Sequence, residues 1–182
     1  MTFNSTIILV PGLGSSGPQH WQTIWEKRYN FTRVEQKDWE TPLRSDWVAN
    51  IQASIEKQGP DEIILVGHSL ACIAIAYWAK EFNVKIKYAL LVAPADSEAD
   101  TFPPVTSGFS PVPLSRLPFP SVVVTSTNDD YVSPERAYFF AGCWGSELIN
   151  IGDAGHINVT SGYGEWEEGL SILEKLDQQR PL

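Results

Sequence analysis

Residues 62–71 read Glu-Ile-Ile-Leu-Val-Gly-His-Ser-Leu-Ala. The run Ile63-Ile64-Leu65-Val66 has no polar alternation, so both faces of the strand it forms are buried. That is the pattern of an inner strand in a parallel sheet covered by helices. The run stops at Gly67-His68-Ser69 and passes directly into a helical pattern over Leu70–Phe82. A strand that turns into a helix at a serine decides the fold class and supplies the first candidate for chemistry. Upstream, Ile7–Val10 reads as a second buried strand that ends at the turn cluster Pro11-Gly12-Leu13-Gly14. A helix follows over Pro18–Tyr29, then a weakly alternating edge strand over Phe31–Gln36. Trp47, Val48, Ile51 and Ile55 share one helix face, which Gly59-Pro60 stops. Downstream, Tyr88–Val92, Val122–Thr125 and Leu148–Ile151 read as strands. Pro134 opens a helix that runs to about Ala141, and Trp166, Leu170 and Leu173 mark the last helix. The expectation is one α/β domain over residues 1–182, with about six mainly parallel strands and helices on both faces.

Composition narrows the function classes. Of 182 residues 43% are apolar, enough for a packed core, and the formal net charge is −9. That balance argues against nucleic acid or an anionic lipid surface as partner, because both are bound through lysine and arginine. No run approaches the length of a membrane span, and no basic residue precedes Ile7–Val10, so a secretory signal is not readable. Cys72 and Cys143 have neither zinc nor CxxC spacing, and no other cluster suggests a metal. A cytoplasmic setting without cofactor is the expectation. One segment breaks the strand–helix rhythm: Pro94 to Pro120 carries prolines at 94, 103, 104, 111, 113, 118 and 120. Proline withholds the backbone donor that helices and sheets use, so an irregular loop is expected, either a lid or a solvated connector.

Gly67-His68-Ser69-Leu70-Ala71 has the form of a nucleophile elbow, the sharp strand-to-helix turn that lifts a serine hydroxyl above the sheet. The usual second glycine is Ala71. The competing reading is that Ser69 only caps the helix beginning at Leu70. A serine nucleophile needs a base and a group that orients the base. Of the three histidines, His20 precedes the serine, against the chain order of this topology. His68 neighbours Ser69, and its side chain is expected to diverge from it. His156, in Gly152-Asp153-Ala154-Gly155-His156, follows the last strand and is the candidate base. For the acid, Asp129 and Asp130 follow the strand Val122–Thr125 and are not separable by pattern; Asp96 and Asp153 are weaker candidates. An oxyanion hole needs backbone donors. The N–H of Leu70 is one candidate, and the turn at Gly12–Gly14 supplies Leu13 as the other. That turn lacks the lysine of a Walker loop and the third glycine of a dinucleotide fingerprint.

Taken together these stretches resemble the small serine hydrolases that include the retinoblastoma-binding protein nine and bacterial YdeN proteins, a compact branch of the α/β-hydrolase superfamily. The matching pieces are Leu9–Gly14, Pro18–Gln22, Val66–Leu70, Ser126–Ser133, and Gly155–Asn158 running on to Glu167–Leu170. The resemblance implies an α/β-hydrolase fold without a large cap domain. It implies Ser69 as nucleophile, His156 as base and Asp129 as acid, with Asp130 standing where the family pattern has proline. It sets His20 and Trp21 near the pocket mouth as candidate substrate contacts. The retinoblastoma-binding motif, Leu-x-Cys-x-Glu, is absent, because Leu70-Ala71-Cys72-Ile73-Ala74 ends in alanine; that partner is not transferred. The expected reaction is hydrolysis of a small carboxylic ester, or an amide, through an acyl-enzyme. The rival is an interaction protein on a hydrolase scaffold with vestigial activity.

Overall fold

The 63–68 run forms the central crossing point of a six-stranded sheet in the computed structural model, which describes residues 2–60 and 62–179. In chain order the elements are β1 (Thr6–Val10), α1 (Trp21–Tyr29), β2 (Thr32–Arg33), α2 (Arg44–Gln58), β3 (Ile63–His68), α3 (Leu70–Phe82), β4 (Tyr88–Val92), β5 (Ser121–Thr125), α4 (Pro134–Trp144), β6 (Glu147–Asn150) and α5 (Glu167–Gln178). The strand order is β2-β1-β3-β4-β5-β6, and every pairing among the described residues is parallel. The chain leaves β1 toward one side and returns to β3 on the other. The loops after β1 and β3 therefore part, and a crevice opens between them at the carboxyl ends of the strands.

Period-two alternation divides the strand residues between two cores. Ile8, Val10, Leu65, Leu91 and Val123 face α2, α3 and α4, whose Trp47, Ile51, Ile73 and Phe140 fill that side. Ile7, Leu9, Val66, Leu90 and Val124 face α1 and α5, where Trp21, Trp25, Leu170 and Leu173 pack. Burial on both faces explains why these strands read as unbroken apolar runs. Tryptophan serves packing: Trp21, Trp25, Trp47, Trp78 and Trp144 are among the largest fully buried side chains.

Two expectations change in detail. The edge strand predicted over Phe31–Gln36 shortens to Thr32–Arg33, because only these residues pair with β1 before the chain turns away. The helix opened by Pro134 runs past Ala141 to Trp144 and ends at Gly145 in a left-handed conformation, after Ser133 has capped its start. The proline-rich segment carries neither helix nor strand, only an isolated bridge from Ser107 to Leu43. It is not a solvated connector, however. Phe109, Val112, Leu117 and Phe119 are buried in the core on the α2–α4 side.

Candidate active site

Strand β3 delivers Ser69 in a backbone conformation that only a tight elbow requires, φ 58° and ψ −127°. A non-glycine residue at positive φ is strained and persists where its surroundings hold it. Two glycines lie in those surroundings. A Cβ on Gly67 would lie 2.7 Å from Ile75 Cδ1, so the tip of that α3 side chain would have to move, while the helix backbone at 3.5 Å would stay in ordinary contact. A Cβ on Gly12 would lie 2.8 Å from the His68 carbonyl oxygen and 2.9 Å from Ser69 Cβ, so the turn after β1 could not lean on the elbow. Ala71, in place of the usual second glycine, is accommodated fully buried. The capping alternative does not hold, because the Ser69 side chain makes no capping hydrogen bond.

The Ser69 hydroxyl instead lies 2.8 Å from His156 Nε2. On the far side of that imidazole, Nδ1 is 2.9 Å from each carboxylate oxygen of Asp129. A carboxylate only accepts, so Nδ1 carries the proton, and Nε2 is left bare to accept from the serine O–H. The Asp129 side chain is fully buried and also takes the Tyr131 N–H at 2.8 Å. Asp130 is exposed. Asp96 pairs with Arg136, and Asp153 accepts from Thr127. Side-chain direction thus separates two neighbouring aspartates that pattern could not.

The loop bearing His156 is held from several directions. Ser126 Oγ donates to the Gly155 carbonyl, Asn128 Oδ1 accepts from Gly155 N–H, and Ser161 Oγ accepts from His156 N–H. His68 Nε2 reaches the His156 carbonyl at 2.9 Å, and the Trp21 indole N–H donates to the Ile157 carbonyl at 2.9 Å. Below the crevice the fully buried Gln22 donates to the carbonyls of Val10 and Val66, the last turns of β1 and β3. It thereby ties the carboxyl-end residues of β1 and β3 together from one side chain, in addition to their own ladder.

A hollow of about 180 Å³ opens beside the Ser69 hydroxyl, walled by Leu13, His20, His68, Phe102, Pro103 and Tyr131 among others. Tyr131 lays its ring against His156 with centroids 4.5 Å apart. Phe102 and Pro103 belong to the proline-rich segment, which therefore contributes a wall of the hollow. Among the described residues, no arginine or lysine borders it. Trp21 does not reach it: the ring is fully buried behind His20, and its N–H is spent on the loop. Of the two candidate contacts only His20 stands on the wall. The N–H groups of Leu13 and Leu70 donate to no backbone acceptor among the described residues; Leu13 lines the hollow, and Leu70 follows Ser69 at the start of α3.

All three histidines of the chain meet here, which sequence order concealed. His20 and His68 rings lie 4.9 Å apart, as do those of His68 and His156. His20 caps α1 by accepting the Gln22 N–H on Nδ1. Burial, with the charges of Arg33 and His156 adding to it, pushes its imidazole down to about 4. Burial likewise holds His68 well below the ordinary histidine range, with His156 and His20 acting in the same sense. Both are neutral at pH 7. The one local signal for His68 was its place inside the elbow motif.

Comparison with known proteins follows the same line. A sequence profile described as serine hydrolase matches residues 7–175. No curated protein sequence matches the chain. Among solved structures, a YdeN-like hydrolase from Pectobacterium atrosepticum is 34% identical, with a TM-score of 0.83 over 95% of this chain and 90% of that one. The ydeN gene product of Bacillus subtilis has the same TM-score at 16% identity, over 97% and 100% of the two chains. A monoacylglycerol lipase from Paleococcus ferrophilus, at 15% identity and TM-score 0.69, covers 94% and 93% and shares the fold.

Proposed function

We propose, from the premise that this chain belongs to the serine hydrolase family and to its small YdeN-like members, that it hydrolyses small neutral carboxylic esters or amides through an acyl-enzyme. The observation that carries this reading is the line Ser69 Oγ, His156, Asp129, with contacts of 2.8 Å and 2.9 Å. In the proposed cycle Ser69 Oγ attacks the substrate carbonyl carbon while its proton passes to His156 Nε2. Asp129 keeps the imidazole in the tautomer that can accept, and stabilises the imidazolium that forms. The negative charge on the carbonyl oxygen is met by the N–H groups of Leu13 and Leu70. Donors left unengaged in the resting protein have no bond to break at that moment. His156 then returns the proton to the leaving alkoxide or amine. Water attacks the acyl-enzyme by the same route in reverse, and Ser69 is regenerated.

The hollow supports the words small and neutral. Its 180 Å³ is the liquid volume of about six waters, room for a short acyl group. With no lysine or arginine on its wall among the described residues, it offers no counter-charge to an anionic one. The same reading takes residues 1–182 as a single hydrolase domain. Cys72 and Cys143 are both free thiols, which fits a reducing, cytoplasmic setting. The test is Ser69→Ala assayed with short-chain p-nitrophenyl esters. A loss of turnover of at least about a thousandfold is expected, with circular dichroism and melting unchanged. A variant that turns over as fast as the wild type overturns the proposal, and failure of a fluorophosphonate to label wild-type Ser69 would favour a binding role.

A further inference from the structure

Ser69 and its neighbour in the chain hold opposite parts of one residue. The Ser69 hydroxyl meets the His156 side chain at 2.8 Å, while His68 Nε2 meets the His156 main-chain carbonyl at 2.9 Å. We propose that His68 is a positioning residue for the base: its Nε2–H fixes the His156 main chain to the end of β3, so that one dipeptide sets the distance between nucleophile and base. The inference rests on the roles assigned above to Ser69 and His156.

The carbonyl can only accept, so His68 must carry its proton on Nε2. His68 is buried, with 6% of its surface exposed, and its ring is packed between the His20 and His156 rings. Its placement follows from β3. Gly67 pairs with Leu91 and His68 with Val92, so the end of the strand is held by the ladder while Ser69 N–H donates to the Val92 carbonyl. A donor mounted there moves with the elbow and not with the loop. The other bonds to the loop come from elsewhere: Ser126 and Asn128 follow β5, Ser161 belongs to the loop's own turn, and Trp21 opens α1. His68 alone among these side chains ties the base directly to the strand that presents the nucleophile. A neutral imidazole is also the right donor for this place. A fixed cation against His156 would oppose the imidazolium that the reaction must form, and burial keeps His68 neutral.

The test has two arms. In the first, wild-type protein carrying ¹⁵N-histidine is observed by NMR. His68 is expected as the neutral tautomer protonated on Nε2, with that proton protected from exchange; protonation on Nδ1 overturns the proposal. This arm needs no substrate, so it tests the His68–His156 hydrogen bond separately from the hydrolytic reading that Ser69→Ala tests. In the second arm, kcat and KM are measured for His68→Leu, which removes the donor, and for His68→Gln, whose amide N–H reaches a similar point. His68→Leu is expected to lower kcat between about tenfold and a hundredfold, the scale of a small misplacement of reacting groups, while KM stays within about threefold. The far-downfield proton of the His156–Asp129 hydrogen bond should weaken in parallel. His68→Gln should recover most of the lost kcat and the signal. Equal kcat in the two variants overturns the proposal. If the leucine variant does not fold, the tautomer arm and loss of the downfield proton in His68→Gln, which would count against the proposal, decide it.

Discussion

Both ends of the sheet carry a buried polar cluster, and they differ in what they leave open. At the amino ends of the strands, Lys87 Nζ donates to Ser5 Oγ and to the Asp177 carbonyl at 2.8 Å, with the Asp177 carboxylate 3.8 Å away. That carboxylate takes the N–H groups of Asn4 and Ser5, each at 2.8 Å. Burial opposes its ionisation, but the hydrogen bonds from Ser5 and Asn4 and the Lys87 charge outweigh it and hold the carboxyl below the usual range. At the carboxyl ends, Ser69 is strained, the N–H groups of Leu13 and Leu70 are unengaged, and a hollow adjoins them. A cluster whose donors and acceptors are all matched contributes stability and nothing else. A cluster with donors left over is stable only because its surroundings are rigid, and it is complete only when a new charge arrives. The difference lies in saturation, since hydroxyls, carboxylates and nitrogen donors occur at both ends.

The comparison breaks most visibly at Asp129. Asp129→Asn keeps the shape but reverses the hydrogen bond, so His156 loses the tautomer that accepts from Ser69. A fall in kcat of about 10⁴ is expected, whereas Asp130→Asn, on an exposed side chain, should stay near wild type; steady-state kinetics on the pair decides between the two aspartates. The saturated end should behave oppositely. Asp177→Ala removes the acceptor of the Asn4 and Ser5 N–H groups, while Lys87 keeps Ser5 Oγ, the main-chain carbonyl at position 177 and Glu62. It is expected to lower unfolding free energy by about 2–6 kcal/mol, about 1–3 for each N–H left unpaired, in urea titration, while kcat per folded molecule is unchanged. A change in kcat there would erase the division between the two ends.

His20 gives the smallest and most pH-bound effect. Its folded-state pKa lies below the unfolded value, near 4 against an ordinary 6.5. Below about pH 6.5 the unfolded chain binds a proton that the folded one refuses, so the stability this residue provides is intact above 6.5 and drains away as pH falls toward 4. The full loss is on the order of 3 kcal/mol. His20→Asn keeps a side chain able to cap α1 and should flatten that slope between pH 6.5 and 4, as measured by urea midpoints.

Much of this was legible in the sequence because it is local. The apolar runs at 7–10, 63–66, 88–92 and 122–125 mark strands buried on both faces, and the Gly67-His68-Ser69 elbow needs only its own neighbours to be recognised. His156 followed from chain order. What escaped was set by tertiary direction. Residues 20, 68 and 156 have no common period, so nothing in the chain announces that their rings touch. The expectation that the His68 side chain would diverge from the serine missed that both converge on His156. Trp21 carried a motif position but not a place on the wall, because an indole at the first turn of α1 faces the core. The proline-rich segment hid its apolar anchors, since Phe109, Val112, Leu117 and Phe119 are spread without periodicity among residues that form no regular structure.

That segment has an evolutionary consequence. Residues 93–120 leave the carboxyl end of β4 and enter the amino end of its parallel neighbour β5, so the ladder fixes both ends of a segment that crosses from one edge of the sheet to the other. Doubling the length of such a loop adds only about 0.6 kcal/mol of closure entropy. Phe102 and Pro103, which border the hollow, precede the buried anchors Phe109, Val112, Leu117 and Phe119, so chain added at 102–103 would leave those anchors and the sheet in place. New specificities in descendants of this chain would arise most readily there, by growth of the wall, while the elbow and its charge-bearing partners are inherited intact.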